Sequence, residues 1–187
     1  MVIHTTLYFV RHAESPYVEG EERNRGLSDK GLLDALIVKD LLVNERIDIF
    51  ISSPYERAIR TIKNLAHEVA EEIAIEEDLR ERVIGDFGNL DFKEAKRKLY
   101  NDFDFMYPNG ESSHEAQDRA SAIVHKVLHV HQGKKIVLGT HGDIMTLMMN
   151  HFDAKYDYEF WASTSMPDIY KLNCEGNELL HVERLWK

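Results

Sequence analysis

Leu7-Tyr8-Phe9-Val10-Arg11-His12-Ala13-Glu14-Ser15 (LYFVRHAES) lies near the start of the chain, and its reading decides the fold. Four apolar residues run without interruption into an arginine and a histidine. A short continuous apolar run is the mark of a strand covered on both faces, as in a parallel sheet sandwiched by helices. The strand reading covers Thr6 to Val10. Arg11 and His12 then emerge at its carboxyl end, the edge where open α/β sheets bind ligands.

Working outward, the polar stretch Ser15 to Gly26 reads as a loop, with Pro16 and Gly20 inside it. Ser28 suits the N-cap of a helix through Asn44, in which Leu32, Leu33, Leu36, Ile37 and Leu41 keep the spacing of an amphipathic helix. Ile47 to Ile51 reads as a second strand. Ser53-Pro54-Tyr55-Glu56 has the form of a capping box with proline at the first helical position, opening a helix to about Ala70. A short strand is expected near Ile73 to Ile75. Residues 84–110 read as irregular and aromatic, with a small helix over Lys93 to Tyr100. Ser112 to Glu115 forms another capping box, for a helix through about His131. Lys135 to Thr140 is a further buried strand, followed by Gly142 and an apolar helix through Asn150. Strands over Ile169 to Cys174 and Leu179 to Arg184 complete the pattern. Alternating strands and helices predict an α/β fold, a three-layer sandwich with a mostly parallel sheet between helices. A chain of 187 residues suits one domain over 1–187, with 84–110 as an insertion or lid.

Composition narrows the function. The net charge of -10 argues against nucleic acid or an anionic membrane as the main partner. A small anionic substrate stays compatible, because a pocket can be basic inside an acidic protein. No run approaches the ~18 apolar residues of a membrane span, and the first residues lack the pattern of a signal peptide. The single Cys174 fits a reducing compartment, so a cytoplasmic location is expected. Cys174 sits inside an expected strand with no arginine loop after it, which argues against thiol-phosphatase chemistry. No GxxxxGK[ST] run is present, which removes a P-loop kinase. His125 and His129 are one helical turn apart, but no carboxylate stands between them in a zinc-peptidase arrangement, and the reading with His131 is a solvated face. Met145, Met148 and Met149 read as core filling.

Three strand ends carry chemistry. The first presents Arg11 and His12, the second leads to Ser53 and a helix bearing Arg57, and the late strand ends in Thr140-His141-Gly142. Two guanidiniums at one edge suit an anion with several oxygens, since each offers a planar fork that matches phosphate. Helix N-termini at Ser53 and Gly142 would add backbone N–H donors.

Five blocks, RHAES at 11–15, SSPYERAIRT at 52–61, LRER at 79–82, NGES at 109–112 and THGD at 140–143, resemble in type and order the motifs of the histidine phosphatase superfamily, the phosphoglycerate mutase-like proteins. The resemblance implies a phosphoglycerate mutase-like fold and a role for each matched residue. His12 would be the nucleophile that carries the phosphoryl group. Arg11 and Arg57 would clamp that group, with His141 and Gly142 as further contacts. Glu81 would be the general acid. Glu14 and Glu111 would orient a neighbouring arginine or backbone group, and Arg60 would be a solvated helix residue. No metal or cofactor is called for, because the arginines supply the neutralising charge. Family mutases usually carry extra segments that shield the phosphoenzyme, so this shorter chain is expected to be a phosphatase acting on small phosphate monoesters. The rival readings are a mutase and a catalytically silent phospholigand-binding protein. Phe87, Tyr100, Phe103, Phe105 and Tyr107 would form either a lid over the leaving group or the core of the insertion, and Asp102 and Asp104 would disfavour very anionic substrates.

Overall fold

The computed structural model describes residues 3–187. Strand β1 (His4–Arg11) is central, flanked by β4 (Lys135–Thr140) and β5 (Asp168–Glu175). Beyond β4 lie β2 (Ile49–Ser52) and β3 (Ile73–Ile75), and beyond β5 lies β6 (Glu178–Arg184), giving the order β3-β2-β4-β1-β5-β6. The first four are mutually parallel, whereas β5 pairs antiparallel with β1, and β6 pairs antiparallel with β5. This is the α/β arrangement with a mostly parallel sheet that the sequence predicts.

Burial of β1 on both faces explains its unbroken apolar run. Leu7 and Phe9 pack toward α4 (Ser113–Val130) and α5 (Gly142–Phe152), in a core that includes Met145, Met148 and Met149. Tyr8 and Val10 point the other way, toward α1 (Asp29–Leu42) and α2 (Glu56–Glu68). Backbone bonds from His12 N to Thr140 O (3.0 Å) and from Ser53 N to Gly139 O (2.9 Å) carry the ladders just past the strand ends. The residues just beyond three adjacent strands are thereby fixed at one edge.

Two local expectations are overturned. The helix beginning at Ser28 forms, with the Ser28 hydroxyl accepting from Gly31 N, but its apolar positions Leu32, Leu33, Leu36, Ile37 and Leu41 lie 44–64% exposed. Its buried side is Gly31, Asp34, Ala35, Val38 and Leu42. Close approach selects this side: a Cβ on Gly31 would stand 2.3 Å from the Glu14 carbonyl oxygen. The Ser53 capping box also fails to form. The helix starts at Glu56 with Tyr55 as an N-cap that makes no side-chain bond, while the Ser53 hydroxyl is engaged elsewhere. The second box forms in full, with both reciprocal bonds between Ser112 and Glu115.

Residues 84–110 contain α3 (Phe92–Asn101), capped by Asp91, which packs Ala95 and Leu99 against Tyr107, Phe87 and Phe105. A short α6 (Tyr158–Ser163), capped by Asp157, was not expected from the sequence. Among the described residues, no helix is long and apolar enough to cross a membrane.

Candidate active site

The edge past β1, β2 and β4 opens into a cavity of about 660 Å³, lined by Arg11, His12, Arg25, Arg57, Glu81 and Glu22 among others. At its floor, His12 is almost wholly buried, and its ring lies 5.3 Å from that of His141. The Nδ1 of His12 stands 2.8 Å from the Ala13 carbonyl oxygen. A carbonyl can only accept, so Nδ1 carries the proton and Nε2 keeps its lone pair. Burial and the positive charges of Arg57, Arg11 and Arg25 push the His12 pKa down to about 3, so the ring is neutral at physiological pH.

His141, the N-cap of α5, is fully buried, with Nε2 2.7 Å from the Ser53 hydroxyl and Nδ1 without a partner. The displaced capping serine thus orients a histidine. Burial, reinforced by His12 and the arginines, holds His141 well below its ordinary pKa.

Arg11 leaves β1 with Nη1 bonded to the Thr164 hydroxyl (2.6 Å) and carbonyl (3.3 Å), while its Nε is buried with no partner. Its guanidinium lies against the start of α5. A Cβ on residue 142 would come within 2.7 Å of it, so only glycine admits this packing. Arg57, 1% exposed, extends from the first turn of α2 with its Cζ 4.9 Å from the centroid of the Tyr55 ring. Its Nη1 and Nη2 bond Glu22, and its Nε is likewise buried without a partner. Burial lowers the pKa of both arginines from the usual range, a sign of cations held under strain. Arg60, by contrast, bonds Glu56 on the exposed face of α2.

Glu81 lies on the other side of the cavity, its carboxylate seated on the N-terminus of α5. It accepts from Ile144 N (3.1 Å), Asp143 N (3.3 Å) and Arg82 N (3.0 Å). Behind it is a closed network. Asp143, fully buried, takes a bidentate pair from Arg82 Nε (2.8 Å) and Nη2 (3.0 Å), and also bonds Lys96 and Tyr100. Despite burial, which opposes it, the charges of Arg82 and Lys96 hold the Asp143 carboxyl far below its ordinary pKa.

Of the residues expected at the site, Arg11, His12, Arg57 and Glu81 line the cavity, whereas His141 and Gly142, both buried, stand behind it against the His12 ring and the Arg11 guanidinium. Several participants escaped the sequence reading. Arg25 and Glu22 come from the polar loop, Thr164 from a segment with no expected element, and Asp143 from the THGD block, where no role was expected of it. A carboxylate directly ahead of an apolar helix was the available signal for Asp143, since such a group is buried only when paired. Glu111 accepts from Arg119 and from Val83 N, and Glu14 accepts from the Ser28 hydroxyl. Phe87, Tyr100, Phe103, Phe105 and Tyr107 do not line the cavity, nor do Asp102 and Asp104; its aromatic walls are Tyr17, Tyr55, Phe92 and Trp161. His125 pairs with His151 across α4 and α5, Nε2 to Nε2 2.9 Å. Buried Cys174 has its pKa raised to about 11, unsuited to a thiolate nucleophile.

Comparison with known proteins agrees with this arrangement. Residues 7–182 match the family model of the histidine phosphatase superfamily, branch 1. The chain is 30% identical over 160 residues to phosphoglycerate mutase-like protein 4 of Arabidopsis thaliana, covering 77% of this chain and 69% of that one. It is 28% identical over 143 residues to PhoE of Bacillus subtilis, described as an uncharacterized phosphatase, covering 74% and 72%. Among solved structures, YhfR of Bacillus stearothermophilus superposes with a TM-score of 0.76 at 23% identity, covering 96% of each chain. The mycobacterial glucosyl-3-phosphoglycerate phosphatase also gives 0.76, at 19% identity and 97% of each chain. With its family model matched over nearly its whole length, the chain belongs to branch 1 of the histidine phosphatase superfamily.

Proposed function

We propose that the protein is a phosphatase that hydrolyses small phosphate monoesters by passing the phosphoryl group through Nε2 of His12. The observation that carries this reading is the His12 ring, with its Nδ1 proton tied to the Ala13 carbonyl and its Nε2 lone pair left free beside unpartnered N–H groups of Arg11 and Arg57. Phosphoryl transfer needs mainly positioning and neutralisation of charge on the equatorial oxygens, and paired guanidiniums supply both.

In the first step the Nε2 lone pair forms a bond to phosphorus as the ester P–O bond breaks. The departing oxygen takes a proton from Glu81. A monoester entering with one proton on its phosphoryl oxygens, as such esters carry below about pH 6, can deliver that proton to the carboxylate. In the second step water attacks phosphorus, the P–N bond breaks, and Glu81 receives the proton water gives up. Together the two steps replace one difficult displacement with two easier ones. His141 and Gly142, at the start of α5, back the pocket by holding the His12 ring and the Arg11 guanidinium in place.

The leaving-group side of the cavity favours hydrolysis of monoesters with uncharged organic groups over a mutase acting on phosphoglycerates. Phe92, Trp161, Met166, Val83 and Ile84 line it. The two cations there, Arg82 and Lys96, are both taken by Asp143, so a second anionic group on the substrate meets no free positive charge.

The test is turnover of a chromogenic aryl phosphate together with rapid acid-free quenching. Release of inorganic phosphate, transient label on His12, and loss of both in His12→Ala are expected. Interconversion of phosphoglycerates without release of phosphate would replace the hydrolytic reading with the mutase one, and binding without any turnover would leave a silent ligand-binding protein.

A further inference from the structure

We propose that Glu22 is an internal anion seated in the phosphoryl pocket, displaced each time a substrate binds, so that it lowers the pocket's affinity for every anion by a common factor. This rests on the phosphoryl-binding reading of the pocket but not on hydrolysis.

The geometry of the two guanidiniums carries the argument. Arginine binds phosphate best side-on, through Nε and Nη2 together. On Arg57 the Nε is buried and unpartnered, while Nη2 is taken by the Glu22 carboxylate at 2.5 Å. The same carboxylate reaches Arg25, with Oε2 3.2 Å from Nε and Oε1 3.3 Å from Nη2. Glu22 thus bridges two cations as a phosphoryl group would, and it covers half of the binding edge of Arg57.

The occupant is built to leave. Arg57 is 1% exposed, but the Glu22 side chain is 47% exposed and belongs to a loop that includes Gly20 at φ +77°. Nη1 of Arg57 bonds the Glu22 backbone carbonyl (2.6 Å), and Nη1 of Arg25 bonds Ser15 (2.8 Å to its carbonyl, 2.7 Å to its hydroxyl). The side chain can therefore swing toward solvent while both arginines stay anchored by their other nitrogens. That motion uncovers a complete Nε–Nη2 edge on each.

The cost of moving Glu22 aside is the same whatever ion takes its place, so the apparent affinity for every anion falls by one common factor. Only an ion that gains strongly from both guanidiniums, as a phosphoryl group does, then holds the pocket at low concentration.

The experiment compares wild type, Glu22→Gln and Glu22→Ala by calorimetric binding of inorganic phosphate and by competition with phenyl sulfate, a monoanion. Both variants are expected to bind phosphate roughly tenfold more tightly, the worth of one lost charge-assisted competitor. Phenyl sulfate should gain by about the same factor, and KM for an aryl phosphate should fall with little change in kcat. Glu22→Asp should stay near wild type. Phosphate affinity that is unchanged or weaker in both variants overturns the proposal, because Glu22 would then be a brace for Arg57. The two readings fail separately. If no ester is turned over yet Glu22→Gln tightens phosphate, displacement stands and hydrolysis falls. If His12 labels normally and phosphate affinity does not rise, the reverse holds.

Discussion

Of the four arginines around the cavity, three show how differently the fold treats the same Nε–Nη2 fork. On Arg82 the fork is filled by the two oxygens of buried Asp143. On Arg57 it is half covered by a carboxylate that is itself half exposed. On Arg11 only Nη1 is used, and Nε is buried with no partner. A satisfied buried fork is structure, since its charge is already compensated. An unsatisfied one is a stored capacity to bind an anion, kept at the expense of stability. Residue type alone does not separate these roles; the partner does.

Breaking the closed region should therefore be the larger insult to the fold. Asp143→Asn leaves Arg82 and Lys96 as buried cations without a counterion, and such losses cost about 3–5 kcal/mol. Chemical denaturation at pH 7 measures it. A change below about 1 kcal/mol would show that solvent reaches the network and that the contrast with Arg57 is overdrawn.

The open region should behave in the opposite way. Arg57→Gln removes an incompletely paired buried charge, so stability is expected to hold or rise, while kcat/KM for an aryl phosphate falls roughly 10²–10³-fold, as for a lost transition-state donor. Loss of stability and activity in parallel would place Arg57 with Arg82.

Glu81 stands between the regions, seated on the amides of Asp143 and Ile144 yet facing the cavity. In Glu81→Gln the side chain keeps its shape but cannot shuttle a proton. Turnover should fall about 10²-fold for alkyl phosphates and much less for nitrophenyl phosphate, whose leaving group needs no acid. Equal losses for both would reduce Glu81 to a cap of α5.

Much of this was legible in the sequence, and the exceptions have a common cause. The run from Leu7 to Val10 announces a strand buried on both faces, and Arg11, His12 and His141 come at strand ends fixed by the ladder. Features set by local periodicity could be read from the chain, whereas features set by a distant partner could not. The apolar spacing in α1 identifies a helix but not which side packs, and contact at Gly31 turns Leu33 outward. Ser53 and Glu56 satisfy a capping pattern, yet His141, 88 residues away, takes the hydroxyl. The grip of Thr164 on Arg11 and of Glu22 on Arg57 joins residues 153 and 35 positions apart, and no local signal marks either.

Acid sharpens the comparison, because the two regions lose stability in different pH windows. His12 has its native pKa near 3 against 6.5 for an ordinary imidazole. Between those values the unfolded chain binds a proton that the native state refuses, so stability falls as pH drops from about 6.5 toward 3. Asp143 is also depressed, but from an ordinary value of 3.8, so its contribution is intact above that pH and is lost only below it. Acid weakening between pH 7 and pH 5 therefore includes the open region, with His141 adding to His12, together with His151, which burial and His125 shift in the same direction. In phosphate-free buffer, His12→Asn should lose about 2 kcal/mol less stability than wild type between pH 7 and pH 5, from about 1.4 kcal/mol per pH unit below 6.5. Denaturant unfolding at the two pH values reads this difference directly. An identical acid loss in wild type and variant would mean that His12 accepts a proton in the folded state, and a protonated ring has no lone pair on Nε2 with which to take up phosphorus.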